Sequence, residues 1–249
     1  MAFQLGREIA ALPPKSLIGR VTGKEDIAWF RESGAFTVND WRRALLSIGR
    51  DYPDFSAIFD FGCGCGRTLR HLRPSLSDRQ QLFAADVDAE AIDWVSANIP
   101  DVIAHIISEE RPIPLADSSI DLVVNHSVFT HLPENLQFYW LDQLYRIMRP
   151  GGIAVLTVHG RKVWKDFQRN MVNAGRIDDL LRITPKFERQ GFYYQPQRTS
   201  WEMALPEYYG ATFHTIDYIV QHWEGGYKLL AWLPMAALAH QDIVVLQRL

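Results

Sequence analysis

The sequence predicts an α/β domain built on a mostly parallel, doubly wound sheet. Three observations predict it. From Ser56 onward, apolar runs of strand length alternate with stretches at helical spacing, the pattern of a parallel sheet covered on both faces. The first of these runs, Ala57-Ile58-Phe59-Asp60-Phe61, ends directly in Gly62-Cys63-Gly64-Cys65-Gly66, a strand-to-helix turn with glycine at every other position. The chain has 249 residues, 47% hydrophobic and 22% charged, enough for one sizeable core of ordinary composition. No Pro/Gly/Ser-rich linker divides it, so residues 1–249 read as a single domain. Within it, 1–52 form a helical cap, 53–160 a core, and 161–249 an insertion after strand 5 followed by the final strands.

The cap reads as two or three short helices, because Pro13, Pro14, Gly23 and Gly34 punctuate it. Thr37 precedes Asp40 by three residues, followed by Trp41, Ala44, Leu45 and Ile48, which predicts an N-cap and an apolar helix face. Residues 57–61 are predicted as the first buried strand, since an apolar run bounded by glycines is covered on both faces. Residues 67–73 follow as helix, and Leu82 to Ala85 as a strand ending at Asp86. Ala89 to Asn98 is a helix with Ala91, Ile92 and Val95 on one face. Val102 to Ile107 and Ile120 to Val124 are the third and fourth strands. Glu134 to Met148 is a helix that buries Phe138, Leu141, Leu144 and Met148. Ile153 to Val158 is the fifth strand. Residues 160–210 lose the rhythm, with scattered aromatics, Gly and Pro. Tyr227–Leu233 and Asp242–Leu246 read as a closing hairpin, which gives the sheet an antiparallel edge.

Composition narrows the function classes. The formal net charge is −3, which argues against an electrostatic grip on a polyphosphate backbone; the expectation is no nucleic-acid partner. The two cysteines, Cys63 and Cys65, cannot build a disulfide framework, and the expected location is cytoplasmic. Cys-x-Cys without a second Cys or His pair nearby is a poor zinc site, and no acidic pair at metal-ligand spacing stands out, so no metal is expected. The longest apolar run, Leu229 to Ala239, contains Pro234 and is too short to span a bilayer; the N-terminus lacks a signal-length apolar stretch.

The glycine turn carries the chemistry. Glycine permits the sharp turn and lets a ligand approach the backbone, and the next helix offers unpaired N–H groups. Asp86, twenty residues after Gly66, sits where a carboxylate accepts ribose hydroxyls in nucleotide-binding α/β folds. The spacing is G-x-G-x-G, one residue short of the dinucleotide G-x-G-x-x-G, and no Lys-Ser/Thr pair follows, which excludes a P-loop.

Residues 60–66 resemble the first motif of the class I S-adenosylmethionine-dependent methyltransferases. Four later segments match that family in order: Phe83-Ala84-Ala85-Asp86-Val87-Asp88, Pro114 to Val123, Val128-Phe129-Thr130-His131-Leu132, and Arg149-Pro150-Gly151-Gly152. The resemblance covers about residues 55–160. It implies a seven-stranded sheet with its last strand antiparallel, and S-adenosylmethionine as cofactor. It places Gly62, Gly64 and Gly66 beneath the methionine part, Asp60 near its amino group, and Asp86 on the ribose with Val87 against the adenine. Glu109, or Glu110 one residue on, falls near the adenine amine. Asn125 and His126 line the methyl-transfer site.

For the acceptor, the family's Asn/Asp-Pro-Pro-Tyr/Phe signature of amide and nucleobase N-methylation is absent; Asn125-His126-Ser127-Val128 stands there instead. The expectation is O-methylation of a small molecule, a sugar or natural-product hydroxyl, with a histidine as base. His159, at the end of strand 5 and followed by Gly160, is the first choice, and His126 the second; His131 is read as capping or packing a helix start. His71, His105 and His222 carry no signal. The C-terminal part loosely resembles small methyltransferases of bacterial glycan and natural-product pathways, which makes His214, Tyr208, Tyr209 and His240 candidate substrate residues. Trp201, Tyr208, Tyr209, Phe213 and Trp223 read equally as core and lid packing. Two other functions stay open: a cofactor-binding subunit without its own catalysis, and a protein or peptide methyltransferase.

Overall fold

The computed structural model describes residues 9, 11–196 and 206–249. The strands are β1 (Ala57–Phe61), β2 (Gln81–Asp86), β3 (Val102–Ile106), β4 (Ile120–Val124), β5 (Met148–Val158), β6 (Phe192–Pro196), β7 (Gly210–His214), β8 (Tyr227–Ala237) and β9 (Gln241–Arg248). Seven of them form one sheet in the order β3-β2-β1-β4-β5-β9-β8. The first five run parallel, and β9 is antiparallel to both β5 and β8. The expected seven-stranded sheet is therefore present, with the closing hairpin forming its edge.

The helices are α1 (Lys15–Thr22), α2 (Ile27–Ser47), α3 (Leu69–Leu72), α4 (Ala89–Asn98), α5 (Glu134–Ile147), α6 (Arg161–Asn173), α7 (Ile177–Gln190) and α8 (Ile216–Trp223). One face of the sheet packs Ile58, Leu82, Leu122 and Val155 against Trp41 and Leu45 of α2 and Val95 of α4. The other packs Phe59, Phe61, Val123 and Leu156 against Trp140 and Leu144 of α5 and Trp223 of α8. Strands covered on both faces explain why their sequences read as continuous apolar runs rather than alternating ones.

The cap differs from its expected form. Its second helix is one helix of 21 residues, and Gly34 lies inside it. A Cβ at Gly34 would overlap the Arg67 carbonyl oxygen, so glycine there serves close approach to the cofactor-side turn and not a helix end. Asp26 is the N-cap, accepting from the Trp29 N–H at 3.0 Å. Thr37 is no cap: it is buried mid-helix and its Oγ1 donates to the Ser33 carbonyl at 2.8 Å. Asp40 accepts instead from the Leu238 N–H, 2.8 Å away in the β8–β9 region.

Residues 160–210, where no elements were expected, hold α6, α7 and the small β6–β7 sheet. Val163, Trp164, Phe187 and Phe213 form their own core there. Arg149 to Gly152, expected as a loop, belong to a longer β5 that begins at Met148 and shifts register against β4 between Ile120 and Leu122.

Candidate functional site

The sheet reverses its strand order between β1 and β4, and the crevice at such a point receives ligands in open α/β sheets. A pocket lies there. It is lined by Asp60, Gly62, Gly64, Arg67, Asp86 and Val87 at one end, and by His126, Ser127, His131, Tyr208 and Tyr209 at the other.

The glycine turn builds the first end. Gly62, Gly64 and Gly66 all have left-handed backbone, with φ of 81°, 52° and 81°. A Cβ at Gly62 would overlap the Val128 methyl, and one at Gly64 would meet Val21 of α1 at 2.6 Å. Side chains are thus excluded from both sides of the turn. The Asp86 Oδ2 accepts from the Gly64 N–H at 2.7 Å and its Oδ1 from the Asp88 N–H at 2.9 Å. Each oxygen keeps a further lone pair for a ligand hydroxyl. Burial pushes the Asp86 carboxyl upward, opposed by these N–H bonds.

Asp60, next to last in β1, is fully buried and accepts from Thr68 Oγ1 at 2.6 Å. Burial raises its carboxyl to about 7, against the pull of Thr68 and the Arg67 guanidinium. Arg67 is itself buried, donates to Thr37 Oγ1 at 3.1 Å, and is pushed down to about 10 by burial. Arg67 was not singled out from the sequence, although its place directly after the third glycine was the available signal. A buried carboxylate beside a buried guanidinium, both on the pocket wall, suits a ligand that carries an ammonium and a carboxylate together. Cys63 and Cys65 are free and buried; burial raises the Cys65 thiol to about 12 and Cys63 well above its ordinary value, so both are small packing groups in the loop.

Helix α1 covers this end. Arg20 bonds Asp88 at 2.8 Å and Glu90 at 2.7 Å, tying α1 to the start of α4, and Cys65 Sγ donates to the Leu17 carbonyl at 3.5 Å.

The second end is built on a strained turn after β4. Ser127 has φ 65°, unusual for a residue with a side chain. Its N–H donates to Thr157 Oγ1 at 2.7 Å, and its Oγ accepts from Gln241 Nε2 at 2.7 Å. His131 Nδ1 lies 2.7 Å from the Gly210 carbonyl oxygen, and its ring stacks on Tyr209 with centroids 4.1 Å apart. His131 is therefore part of the pocket wall, not the helix-start packing residue expected. Tyr208 reaches Glu109, its hydroxyl 3.4 Å from Oε2.

Several other candidates sit elsewhere. Asn125 turns inward: its Nδ2 donates to the Phe61 carbonyl at 2.9 Å and it does not line the pocket. His159 lies behind His131, ring centroids 6.1 Å apart, buried and off the pocket wall. Burial and the rings of His131, His240 and His214 hold it well below the ordinary histidine range. His240 adjoins His159 at 5.9 Å and is likewise off the wall. His214 is buried with Nε2 2.9 Å from Gln137 Oε1, and burial takes it down to about 3. For His159 the cause is β7, which covers the end of β5 through a His159–Phe213 bridge. Trp201 lies outside the described residues. Among the described residues, no cluster of His, Cys, Asp and Glu is placed to hold a metal, and no helix is long and apolar enough to cross a membrane.

The sheet order and flanking helices are those of the class I S-adenosylmethionine-dependent methyltransferase fold. Residues 59–156 match the family model described as a methyltransferase domain. The tRNA N(3)-cytidine methyltransferase METTL2 of Gallus gallus is 29% identical over 123 residues, 45% of this chain and 33% of that protein. A probable S-adenosylmethionine-dependent methyltransferase of Mycolicibacterium smegmatis is 29% identical over 174 residues, 66% of this chain and 61% of its own length. The chain thus spans from a third to about three fifths of these relatives. Among solved structures, 1,6-didemethyltoxoflavin-N1-methyltransferase of Burkholderia thailandensis, with bound 1,6-didemethyltoxoflavin and S-adenosylhomocysteine, shares the fold at TM-score 0.57. It is 11% identical, and 96% of this chain and 92% of that one are covered. A methyltransferase of Aquifex aeolicus shares it at TM-score 0.53, 15% identity, with 96% and 100% covered. These findings support S-adenosylmethionine as the cofactor.

One expectation falls. Net charge was taken to exclude nucleic acid, yet tRNA methyltransferases recur among the relatives: tRNA N(3)-cytidine methyltransferase METTL2 of Gallus gallus and Danio rerio, and tRNA N(3)-methylcytidine methyltransferase trm140 of Schizosaccharomyces pombe. A whole-chain charge has no position and cannot exclude such a partner: residues 161–190 carry eight Lys/Arg against four Asp/Glu, a local +4 beside the whole-chain −3.

Proposed function

We propose that this chain transfers the methyl group of S-adenosylmethionine to an acceptor held between His126, Ser127, His131, Tyr208 and Tyr209. One observation carries the reading: the cofactor-type end and this histidine–tyrosine end share one pocket at the switch point. Asp86 would hold the ribose, Val87 the adenine face, and Asp60 with Arg67 the amino-acid part; Glu109 stands beyond Tyr208. The cofactor supplies an activated methyl on a sulfonium, so the protein's share is alignment and exclusion of water.

Two acceptor readings have support. A hydroxyl of a compact molecule suits a wall that carries Ser127 and His126, whose ring burial holds well below the ordinary histidine range. A cytidine of tRNA is favoured by the relatives, and the stacked His131–Tyr209 pair suits a planar base. Incubation with methyl-labelled S-adenosylmethionine, bulk tRNA and a panel of sugars, phenols and carboxylic acids separates them. Label in acid-precipitable RNA supports the second, label in a small product the first. No label in either pool, with cofactor bound, supports the non-catalytic alternative.

Asp60 gives the reading a pH signature. An unfolded aspartate ionises near 3.9, whereas burial holds Asp60 protonated up to about 7. The folded state therefore holds the extra proton between those values, so Asp60 favours folding at low pH and that contribution is lost as pH rises through about 7. A ligand ammonium pairs with the ionised form, so affinity for S-adenosylhomocysteine is expected to rise with pH over the same range. At pH 6 it should be about tenfold weaker than at pH 8. Calorimetry at the two values checks this; Asp60→Asn should bind more weakly and lose the pH dependence. A flat wild-type profile would show that Asp60 is not the ammonium's partner.

A further inference from the structure

Residues 161–190 form a helical hairpin that lines no part of the pocket. Helices α6 and α7 run antiparallel: Arg161 pairs with Glu188 at 3.0 Å, Gln168 Nε2 donates to Thr184 Oγ1 at 3.2 Å, and only residues 174–176 join the two helices. The hairpin has its own small core, in which Val163, Trp164 and Phe187 pack on Ala211 and Phe213 of β7. Its outward side is therefore not used to hold the fold.

The tip of the hairpin is apolar and exposed. Val172 is 47% exposed, Ile177 51% and Leu181 68%. Among the described residues, three of the ten exposed large hydrophobic side chains thus fall within ten consecutive positions, and Leu181 is the most exposed of all. Ile177 and Leu181 stand one turn apart on one side of α7, and Val172 lies one residue before the end of α6.

Cations flank each of the three in the chain: Arg169 one turn before Val172, Arg176 directly before Ile177, and Arg182 directly after Leu181. Their partners do not cancel them. Asp166 serves both Lys162 and Arg169, and Asp179 serves both Arg176 and Arg182. Lys165, Lys186 and Arg189 are exposed and stand in no ion pair among the described residues. The hairpin's surplus of positive charge contrasts with the other 219 residues, which carry 18 Lys/Arg against 25 Asp/Glu.

Exposed aliphatic side chains beside surplus positive charge match a surface that is anionic outside and apolar within. Nucleic acid offers the charge without the apolar layer. Its unpaired bases stack on aromatic rings, whereas Trp164, Phe167 and Phe187 of the hairpin pack in or against the small core. The hairpin also leaves the sheet at the C-terminal end of β5, on the edge where the pocket opens.

We propose that the tip of the α6–α7 hairpin docks on an anionic lipid surface. Val172, Ile177 and Leu181 enter the headgroup layer, and the neighbouring Lys and Arg side chains meet lipid phosphates. The hairpin lies on the surface and does not span it. This inference stands apart from methyl transfer, because it uses no residue of the pocket.

The test is flotation of the full chain with lipid vesicles. Partitioning onto phosphatidylcholine vesicles containing phosphatidylglycerol should exceed that onto phosphatidylcholine alone by about tenfold or more, and should fall as NaCl screens the charges. The pair Ile177→Ser and Leu181→Ser, and separately the trio Lys165→Gln, Lys186→Gln and Arg189→Gln, should each weaken partitioning by about fivefold or more. Ile103→Ser removes an equally exposed aliphatic from β3, at the far edge of the sheet, and should leave it unchanged. Thermal melts and S-adenosylhomocysteine binding that match wild type show that the variants are folded. No partitioning at low salt, equal partitioning onto both vesicles, or an equal loss in Ile103→Ser overturns the proposal. So does a gel shift of bulk tRNA that the trio abolishes while vesicles stay empty, which assigns the face to nucleic acid. A dimer that Ile177→Ser and Leu181→Ser dissolve, again with empty vesicles, overturns it in favour of a second copy of the chain.

Discussion

Replacing Asp86 by alanine is expected to weaken S-adenosylhomocysteine binding by about two to four orders of magnitude. The carboxylate accepts the Gly64 and Asp88 N–H groups and still has a lone pair on each oxygen for the ribose hydroxyls. Hydrogen bonds to a charged group contribute about 1.5–3 kcal/mol each, and two of them correspond to roughly that range at about 1.4 kcal/mol per decade. The substitution also frees the glycine turn, because Gly64 loses the acceptor that holds its N–H. Asp86→Asn keeps an oxygen for one of these bonds and should fall between the two. Calorimetry measures both, with a thermal melt to show that the sheet survives. An alanine variant within threefold of wild type would mean that the ligand does not use this carboxylate.

The second large effect concerns stability. Trp41→Ala is expected to destabilise the protein by about 3–5 kcal/mol, the usual range for truncating a large buried aromatic. Trp41 is fully buried in the α2 face of the core, and its Nε1 donates to the Asn125 carbonyl at 3.2 Å. Asn125 in turn donates to the Phe61 carbonyl. This chain of contacts fixes the ends of β4 and β1 against α2, so the loss should reach the cofactor turn and lower ligand affinity too. Trp29, 40% exposed on the same helix, is the control: Trp29→Ala should change stability by under about 0.5 kcal/mol. Denaturant titration of the three proteins gives the comparison. Equal midpoints for Trp41→Ala and wild type would show that the cap is not integral to the fold.

These two residues also mark how far the sequence was legible. The sheet was readable because β1, β4 and α4 are apolar to the rule for buried strands and one-sided helices, and their bounds match. Asp86 and the glycines were readable because turn chemistry restricts which residue types fit there. Helix α2 was misread because Gly34 and Thr37 look like helix punctuation. Only the neighbouring Arg67 carbonyl, far along the chain, shows why glycine is needed in mid-helix. Helices α6 and α7 went unread although Val163, Trp164, Phe167 and Met171 stand at helical spacing, because Gly and Pro nearby dominated the reading.

The acceptor end was the least legible part. His159 stood at a strand end followed by glycine, the right local context, yet β7 covers it and places it behind His131. His131 owes its orientation to Gly210, 79 residues away, and Ser127 to Gln241, 114 residues away. No local pattern encodes such pairings. The nucleic-acid question shows the same limit: a whole-chain charge has no position, and the basic residues of α6 and α7 disappear into it.

Calorimetric titration of the full chain with S-adenosylmethionine tests the central claim most directly. The expected result is one saturable site with affinity at pH 8 above that at pH 6. No binding heat at millimolar cofactor at either pH would contradict it.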